Sequence, residues 1–254
     1  MDITTAIIGL CVGFLVGLTG VGGAALLTPV LVWIGIPTSV AVGTDLFYNS
    51  ITKLFGGFQH WRQHTVQWRI VAHLAAGSIP GAIVAVGLLK LFDQFFDNQE
   101  HIMKTALGIM LVVVAAAILL RLFGWKSEKE NKWQTMPFEK KRWITIAIGF
   151  ALGFIVGLTS VGSGSLFAIA LIYLFRMKSS EVVGTDIVHA FFLVTVAGAL
   201  HAGMGNVDYM LAFNLLIGSI PGVLLGSALS AKVPSKPLRA VVATIILLSG
   251  IKLI

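Results

Sequence analysis

The chain contains two copies of one hydrophobic unit. The segment GLTGVGGAAL at 17–26 returns as GLTSVGSGSL at 157–166, and VGTD at 42–45 returns at 183–186. GSIPG occurs at 77–81 and again at 218–222, so the offset between the copies is 140 residues at first and 141 afterwards. A duplicated apolar unit that keeps its glycines and polar residues in register is typical of a membrane protein built from repeats.

The composition excludes an ordinary soluble domain. Hydrophobic residues make up 57% of the chain and charged residues 11%, and the charges lie in a few clusters. Most of the apolar runs are long enough for a helix to cross the hydrocarbon core, which takes roughly 20 residues. Because helices satisfy their own backbone polar groups in lipid, we predict an all-α polytopic membrane protein. The runs cover 3–36, 40–59, 70–92, 102–123, 143–175, 182–204, 209–231 and 238–254.

The runs divide into two homologous halves of four segments. Residues 1–123 form the first half, a hydrophilic linker covers 124–142, and residues 143–254 form the second half. The first run of each half is too long for one upright helix, and glycines interrupt its middle. We therefore expect each first run to be two short half-helices joined by a glycine turn within the membrane.

The distribution of Lys and Arg favours halves of opposite orientation. If each broken run returns to its starting side, fourteen Lys and Arg fall on one side of the membrane and three on the other, namely Lys90, Lys104 and Lys252. If each broken run crosses, the division is ten against seven. The first division fits the positive-inside rule far better. We predict inverted repeats with a cytoplasmic linker and both termini outside.

The two glycine turns are candidate substrate sites. A broken helix exposes unpaired N–H groups and a positive dipole end, which suit an anion. The alternative is that these glycines serve only close helix packing. The candidate residues in the turns are Thr19, Gly20, Gly22 and Gly23 in the first copy and Thr159, Ser160, Gly162 and Ser163 in the second.

The VGTD motif opens a second group of candidates. Asp45, Asn49 and Lys53 are spaced four apart and share one helical stripe, but Asp45 and Lys53 are too far apart for a direct pair. Lys53 is a candidate countercharge for an anionic substrate. The threonines Thr44 and Thr185 are included as substrate-site candidates.

The second copy is chemically different at these positions. It keeps Asp186 but has Ala190 and Val194 in place of the Asn and Lys, and it adds His189 one turn after the aspartate. Asp186 with His189 is a candidate proton-coupling element, since histidine titrates near neutrality, and Asp45 belongs to the same coupling set. The alternative is that each aspartate caps the start of its helix.

Other motifs favour structural roles. GSIPG predicts a close helix crossing with a proline kink. His60 and His201 recur near helix ends and are expected to be interfacial polar residues. No metal-ligand spacing and no nucleotide-binding loop is present in the sequence. Ser163 has no base paired with it by sequence and Gly23 at its place in the first copy, so we do not expect an enzyme.

The motifs resemble those of the TauE/SafE sulfite exporter family, also called the toluene sulfonate uptake permeases. GLTGVGGA followed by Pro29, AVGTD, and the small-residue turns around GSIPG carry the resemblance. It implies a multi-pass permease of the bacterial inner membrane for sulfite, sulfonates or other sulfur-containing anions. Asp45 and Asp186 stand where serine is frequent in that family, which weakens direct anion contact there and favours coupling.

We therefore expect a secondary transporter for a small anion that uses no cofactor. A passive anion channel and a non-transporting subunit of a membrane complex are the alternatives. The expected partners are the anion and the lipid bilayer, but not nucleic acid, and a homo-oligomer is left open. The net charge of +7 is assigned to cytoplasmic loops.

Overall fold

The computed structural model describes residues 3–19, 22–96, 99–123, 132–230 and 235–254. Within these residues the regular structure is helical. The helices are α1 (Ile3–Thr19), α2 (Ala24–Trp33), α3 (Thr38–Arg62), α4 (Trp68–Phe96), α5 (Gln99–Phe123), α6 (Lys132–Thr135), α7 (Phe138–Thr159), α8 (Leu166–Leu174), α9 (Ser179–Gly203), α10 (Tyr209–Ser230) and α11 (Ser235–Leu253).

Five of the described helices are long and apolar enough to cross a bilayer: α4, α5, α7, α9 and α10. The prediction of an all-helical multi-pass membrane protein is confirmed at this level. Helix α3, with 25 residues, is also long enough but is less apolar, since it carries the polar stripe that begins at Asp45. Each half contributes five described helices, α1–α5 and α7–α11, because each first run is split in two.

The breaks in the first runs lie at the predicted glycines. Helix α1 ends at Thr19 and α2 begins at Ala24, while α7 ends at Thr159 and α8 begins at Leu166. The expectation of two short half-helices fits α1 and α2 but is wrong for α7, which is long enough to cross a bilayer. Helices α1 and α7 have 17 and 22 residues; α2 and α8 are the short members, with 10 and 9. The longer members gain their packing from the opposite half of the chain.

Helix α1 packs along α10, and this contact joins the two halves. A Cβ on Gly9 would lie 2.5 Å from the carbonyl oxygen of Leu215, and one on Gly17 would overlap that of Val223. Because the contacts advance in the same direction on both helices, α1 and α10 are parallel. Helix α7 packs along α4 in the same way, through Gly149, Gly153 and Gly157.

Helices α3 and α9 cross at the centre of the bundle. A Cβ on Gly57 would lie 3.4 Å from Val188, and one on Gly198 would lie 3.4 Å from the backbone of Leu46. The contacts advance in opposite directions, so these two equivalent helices are antiparallel. Helices α5 and α11 are also antiparallel, with Gly108 opposite Gly250.

The GSIPG glycines make the close crossings that the sequence predicts. A Cβ on Gly77 or Gly81 would overlap backbone carbonyls of α7, and one on Gly218 or Gly222 would overlap those of α1. The backbones can touch there because glycine has no side chain. Prolines Pro80 and Pro221 lie inside α4 and α10.

Replacing one of these glycines tests the interlocked packing. We expect Gly81→Val to destabilise the protein by about 1–3 kcal/mol or more, because the new side chain overlaps the backbone of α7. Gly87→Val, on the same helix, is the control, since a Cβ at Gly87 has no neighbour within 4 Å. Thermal unfolding in detergent measures both variants. Equal loss of stability in the two would contradict this packing.

Candidate functional site

The two glycine turns meet, although they lie about 140 residues apart in sequence. A Cβ on Gly22 would lie 3.5 Å from the Cα of Gly164, and the hydroxyl groups of Thr28 and Ser160 share a hydrogen bond of 2.8 Å. Gly162 has a positive φ of 101°, which glycine adopts without strain. Gly20, one of the predicted site residues, lies outside the described residues.

The polar stripe of α3 faces this meeting point. The Asn49 side-chain nitrogen donates to the backbone oxygen and to Oδ1 of Asp45, both at 2.9 Å. The carboxyl group of Asp45 lies beside the hydroxyls of Ser160 and Thr28. Lys53 Nζ donates to the carbonyl oxygen of Ser163 at 3.2 Å. The stripe of the first half therefore contacts the turn of the second half.

The capping role considered for the two aspartates is wrong. Helix α3 begins at Thr38 and α9 at Ser179, so Asp45 and Asp186 lie about two turns inside their helices. The caps come from elsewhere: the side chain of Glu100 accepts hydrogen bonds from the first two backbone N–H groups of α3, those of Thr38 and Ser39. The aspartates are left available for the centre of the bundle.

The threonines of VGTD bind connecting loops. Thr44 Oγ1 accepts the backbone N–H of Asp208 at 3.0 Å, and Thr185 Oγ1 accepts that of Gln67 at 3.0 Å. Each donor immediately precedes a helix, α10 or α4. The glycine before each threonine lets the loop approach closely. These two predicted site residues are therefore not brought to the glycine turns.

The turn threonines bond to their own helices. Thr19 Oγ1 donates to the carbonyl oxygen of Leu15 at 2.7 Å, and Thr159 Oγ1 donates to that of Ile155 at 2.9 Å. Gly23 lies beside Asn49, whose Oδ1 would be 3.9 Å from a Cβ there. The structure thus brings together Gly22, Gly23, Asp45, Asn49, Lys53, Ser160, Ser163 and Asp186.

Helix α9 contributes an aspartate and a histidine that do not bond to each other. Asp186 lies near the second turn, with Oδ2 3.9 Å from a Cβ built on Gly164. His189 is fully buried, and its Nε2 shares a 2.8 Å hydrogen bond with Ser78 Oγ. The centroids of the His189 and Phe167 rings are 4.4 Å apart. The predicted coupling residues are neighbours on one helix rather than a bonded pair.

Sequence reasoning missed two polar contacts. Ser78 of the GSIPG motif binds His189, although the motif was assigned to helix packing alone. His201 is fully buried, with Nε2 2.9 Å from the carbonyl oxygen of Gly157, so its expected interfacial position is wrong. Ser78 and His201 each recur in the other copy, and this repetition was the only sequence signal for a polar contact. It could not identify the partners, because they lie on other helices.

The charges at the centre do not balance. Lys53 lies within electrostatic range of Asp186 and Asp45 but forms no salt bridge with either. At this centre, the buried atoms without a hydrogen-bond partner include Oδ2 of Asp45, Oδ1 of Asp186 and Nδ1 of His189. When Asp45, Asp186 and Lys53 are all charged, two carboxylates face one ammonium group. In the described part of the chain, no group of three or more His, Cys, Asp or Glu is placed to hold a metal ion.

Comparisons with known proteins agree on a membrane transporter. The sulfite exporter TauE/SafE family matches residues 5–253. A probable membrane transporter protein of Bacillus subtilis (strain 168), YjnA, is 61% identical over the full length of both chains. A second from that organism, YunE, is 25% identical over 98% of this chain and 95% of its own. One from Methanocaldococcus jannaschii, MJ0441, is 25% identical over 96% of this chain and 92% of its own. No solved structure matches the chain.

Proposed function

The chain belongs to the sulfite exporter TauE/SafE family of membrane transporters, and on that premise we propose that it is a secondary transporter for a small sulfur-containing anion such as sulfite or a sulfonate. The observation that carries the proposal is the half-buried Lys53, whose ammonium group donates to the second glycine turn. A positive charge inside a membrane protein costs free energy unless a negative partner offsets it, and a bound anion is such a partner.

The substrate site lies where the glycine turns meet. Helices α2 and α8 begin there, and the first N–H groups of a helix have no intrahelical partner and carry a partial positive charge. Lys53 adds a full positive charge and Asn49 an amide. In this proposal Gly22, Gly23, Ser160 and Ser163 line the anion, while Thr44 and Thr185 act by fixing the loops that hold α3 and α9.

The halves lie in the membrane as inverted repeats, each with a hairpin formed by its first two helices. The antiparallel crossings of α3 with α9 and of α5 with α11 support this arrangement. Fourteen Lys and Arg then face the cytoplasm, both termini lie outside, and the membrane is the bacterial inner membrane.

The closed centre favours a carrier over a passive channel. Asp45 is fully buried, and Asn49 and Asp186 are each 5% exposed. A channel needs a continuous water-filled path, whereas a carrier passes through a state closed on both sides. Counterflow of labelled sulfite into preloaded proteoliposomes separates the two: a carrier gives transient accumulation, and a channel gives none.

Transport is proposed to be coupled to proton movement through the buried carboxylates. Asp186 and Asp45 are the coupling groups, with His189 beside Asp186 and held by Ser78. The excess of buried negative charge supports this, since a carboxylate without a partner in an apolar site requires a cation.

Removing the central positive charge tests the substrate site. We expect Lys53→Gln to lower sulfite flux in proteoliposomes by about tenfold or more, because a charged hydrogen bond to the anion is lost. Lys104→Gln, at an exposed position, is the control. Fluxes are divided by the amount of folded protein. Unchanged flux in the Lys53 variant would exclude the countercharge role.

Removing one carboxylate tests the coupling role. We expect Asp186→Asn to flatten the pH dependence of transport across roughly pH 5–8, because the amide cannot exchange a proton in that range. Initial rates at a series of pH values in proteoliposomes measure this. A profile that keeps the wild-type shape would end the proposal that Asp186 carries the proton.

A further inference from the structure

We propose that the oxygen atoms around Asp45 form a binding site for one sodium ion. Asp45 in α3, Thr28 in α2 and Ser160 in the turn after α7 bring a carboxylate and two hydroxyls to one buried place. Coupling of this ion to an anion rests on the proposed transport function, with sodium in place of a proton at Asp45 and Asp186 left as the proton group, but binding of the ion does not rest on it.

The first argument is that a buried acceptor lacks a donor. Asp45 is fully buried, its Oδ1 accepts from Asn49, and its Oδ2 has no hydrogen-bond partner. The hydroxyls of Thr28 and Ser160 lie beside this carboxyl group and bond to each other, so one hydroxyl hydrogen is left for Asp45. Neither hydroxyl closes a hydrogen bond with Oδ2 here, and an ionised carboxylate oxygen without a full partner in such surroundings is strongly destabilising. A cation between these oxygens removes that penalty.

The second argument is that the oxygens are present on one side of the pseudo-symmetric centre. At the offset of 140 residues, Thr28 corresponds to Ala168 and Ser160 to Gly20. The positions that supply hydroxyls to Asp45 therefore supply none to Asp186. A close packing role for these side chains would not require hydroxyls at one aspartate and apolar residues at the other. The difference points to a ligand of Asp45 in particular.

The third argument is the chemistry of the ligands. Carboxylate and hydroxyl oxygens are hard donors that suit alkali and alkaline-earth cations. One carboxylate among neutral oxygens balances one positive charge, which favours a monovalent ion. Helix α7 ends at Thr159, directly before Ser160, so the negative end of its dipole lies at the site. Ends of broken helices bind sodium in other transporters.

The ion also completes the charge balance of the centre. Lys53 faces two aspartates, so one sodium ion at Asp45 brings the net charge of the three groups to zero. An anion that then binds at Lys53 meets less repulsion from Asp45. Because binding couplings are reciprocal, sodium tightens anion binding and the anion tightens sodium binding by the same factor.

Thermal unfolding of the purified full chain tests the site. At constant ionic strength and pH, sodium chloride is expected to raise the melting temperature with a saturable dependence, whereas potassium and choline chlorides are not. Thr28→Val and Ser160→Ala are each expected to raise the half-saturating sodium concentration by about tenfold or more. Thr28→Ser, which keeps the hydroxyl, should leave the half-saturating sodium concentration close to that of the wild type. Thr145→Val removes a buried hydroxyl that bonds within α7 and is the control.

The outcomes separate this site from the proposed function. No sodium-specific shift in the wild type, or a shift that both hydroxyl variants keep, overturns the sodium site. A pH dependence of the melting temperature that Asp45→Asn removes, with no response to sodium, means that Asp45 takes a proton and also overturns it. If sulfite shifts the melting temperature equally with and without sodium, the proposed anion site stands and its coupling to sodium fails. If sodium acts but no sulfur oxyanion does, the ion site stands and the proposed substrate fails.

Discussion

The cost of burying charge among apolar helices governs this structure. Two buried aspartates and one half-buried lysine lie close together, and none of them forms a salt bridge with another. Such an arrangement needs other partners, and the second glycine turn supplies one for the lysine. The carbonyl oxygen of Ser163 accepts from Lys53, and the turns allow backbone to approach side chains at that depth.

The helix packing explains how two distant turns reach one place. Helix α1 lies along α10 and α7 along α4, so the first helix of each half is held by the opposite half through glycine contacts. The crossing of α3 and α9 then brings the polar stripe of the first half against the turn of the second. Each half contributes residues that surround the other half's polar stripe. Small sequence differences between the copies therefore place different polar groups around Asp45 and around Asp186.

Much of the fold follows from the sequence, because it depends on local patterns. The breaks in the first runs and the close crossings at GSIPG were predicted from glycines that need backbone contact. The aspartate caps were wrong, because α3 starts at Thr38, two turns before Asp45. The bonds of Ser78 with His189 and of His201 with Gly157 were not foreseen. The first joins the two halves and the second joins α7 and α9 within the second half; spacing along the chain gives no measure of either approach.

The central claim is that the halves are inverted, so that both hairpins enter from opposite faces and meet. Labelling with a membrane-impermeant maleimide in intact cells tests it, in a chain whose native Cys11 is replaced by serine. We predict that a cysteine at Ile254 is labelled from outside, whereas one in the linker, at Lys129, is labelled after permeabilisation alone. A cysteine at Ile254 that requires permeabilisation would place the C-terminus in the cytoplasm and contradict the inverted arrangement.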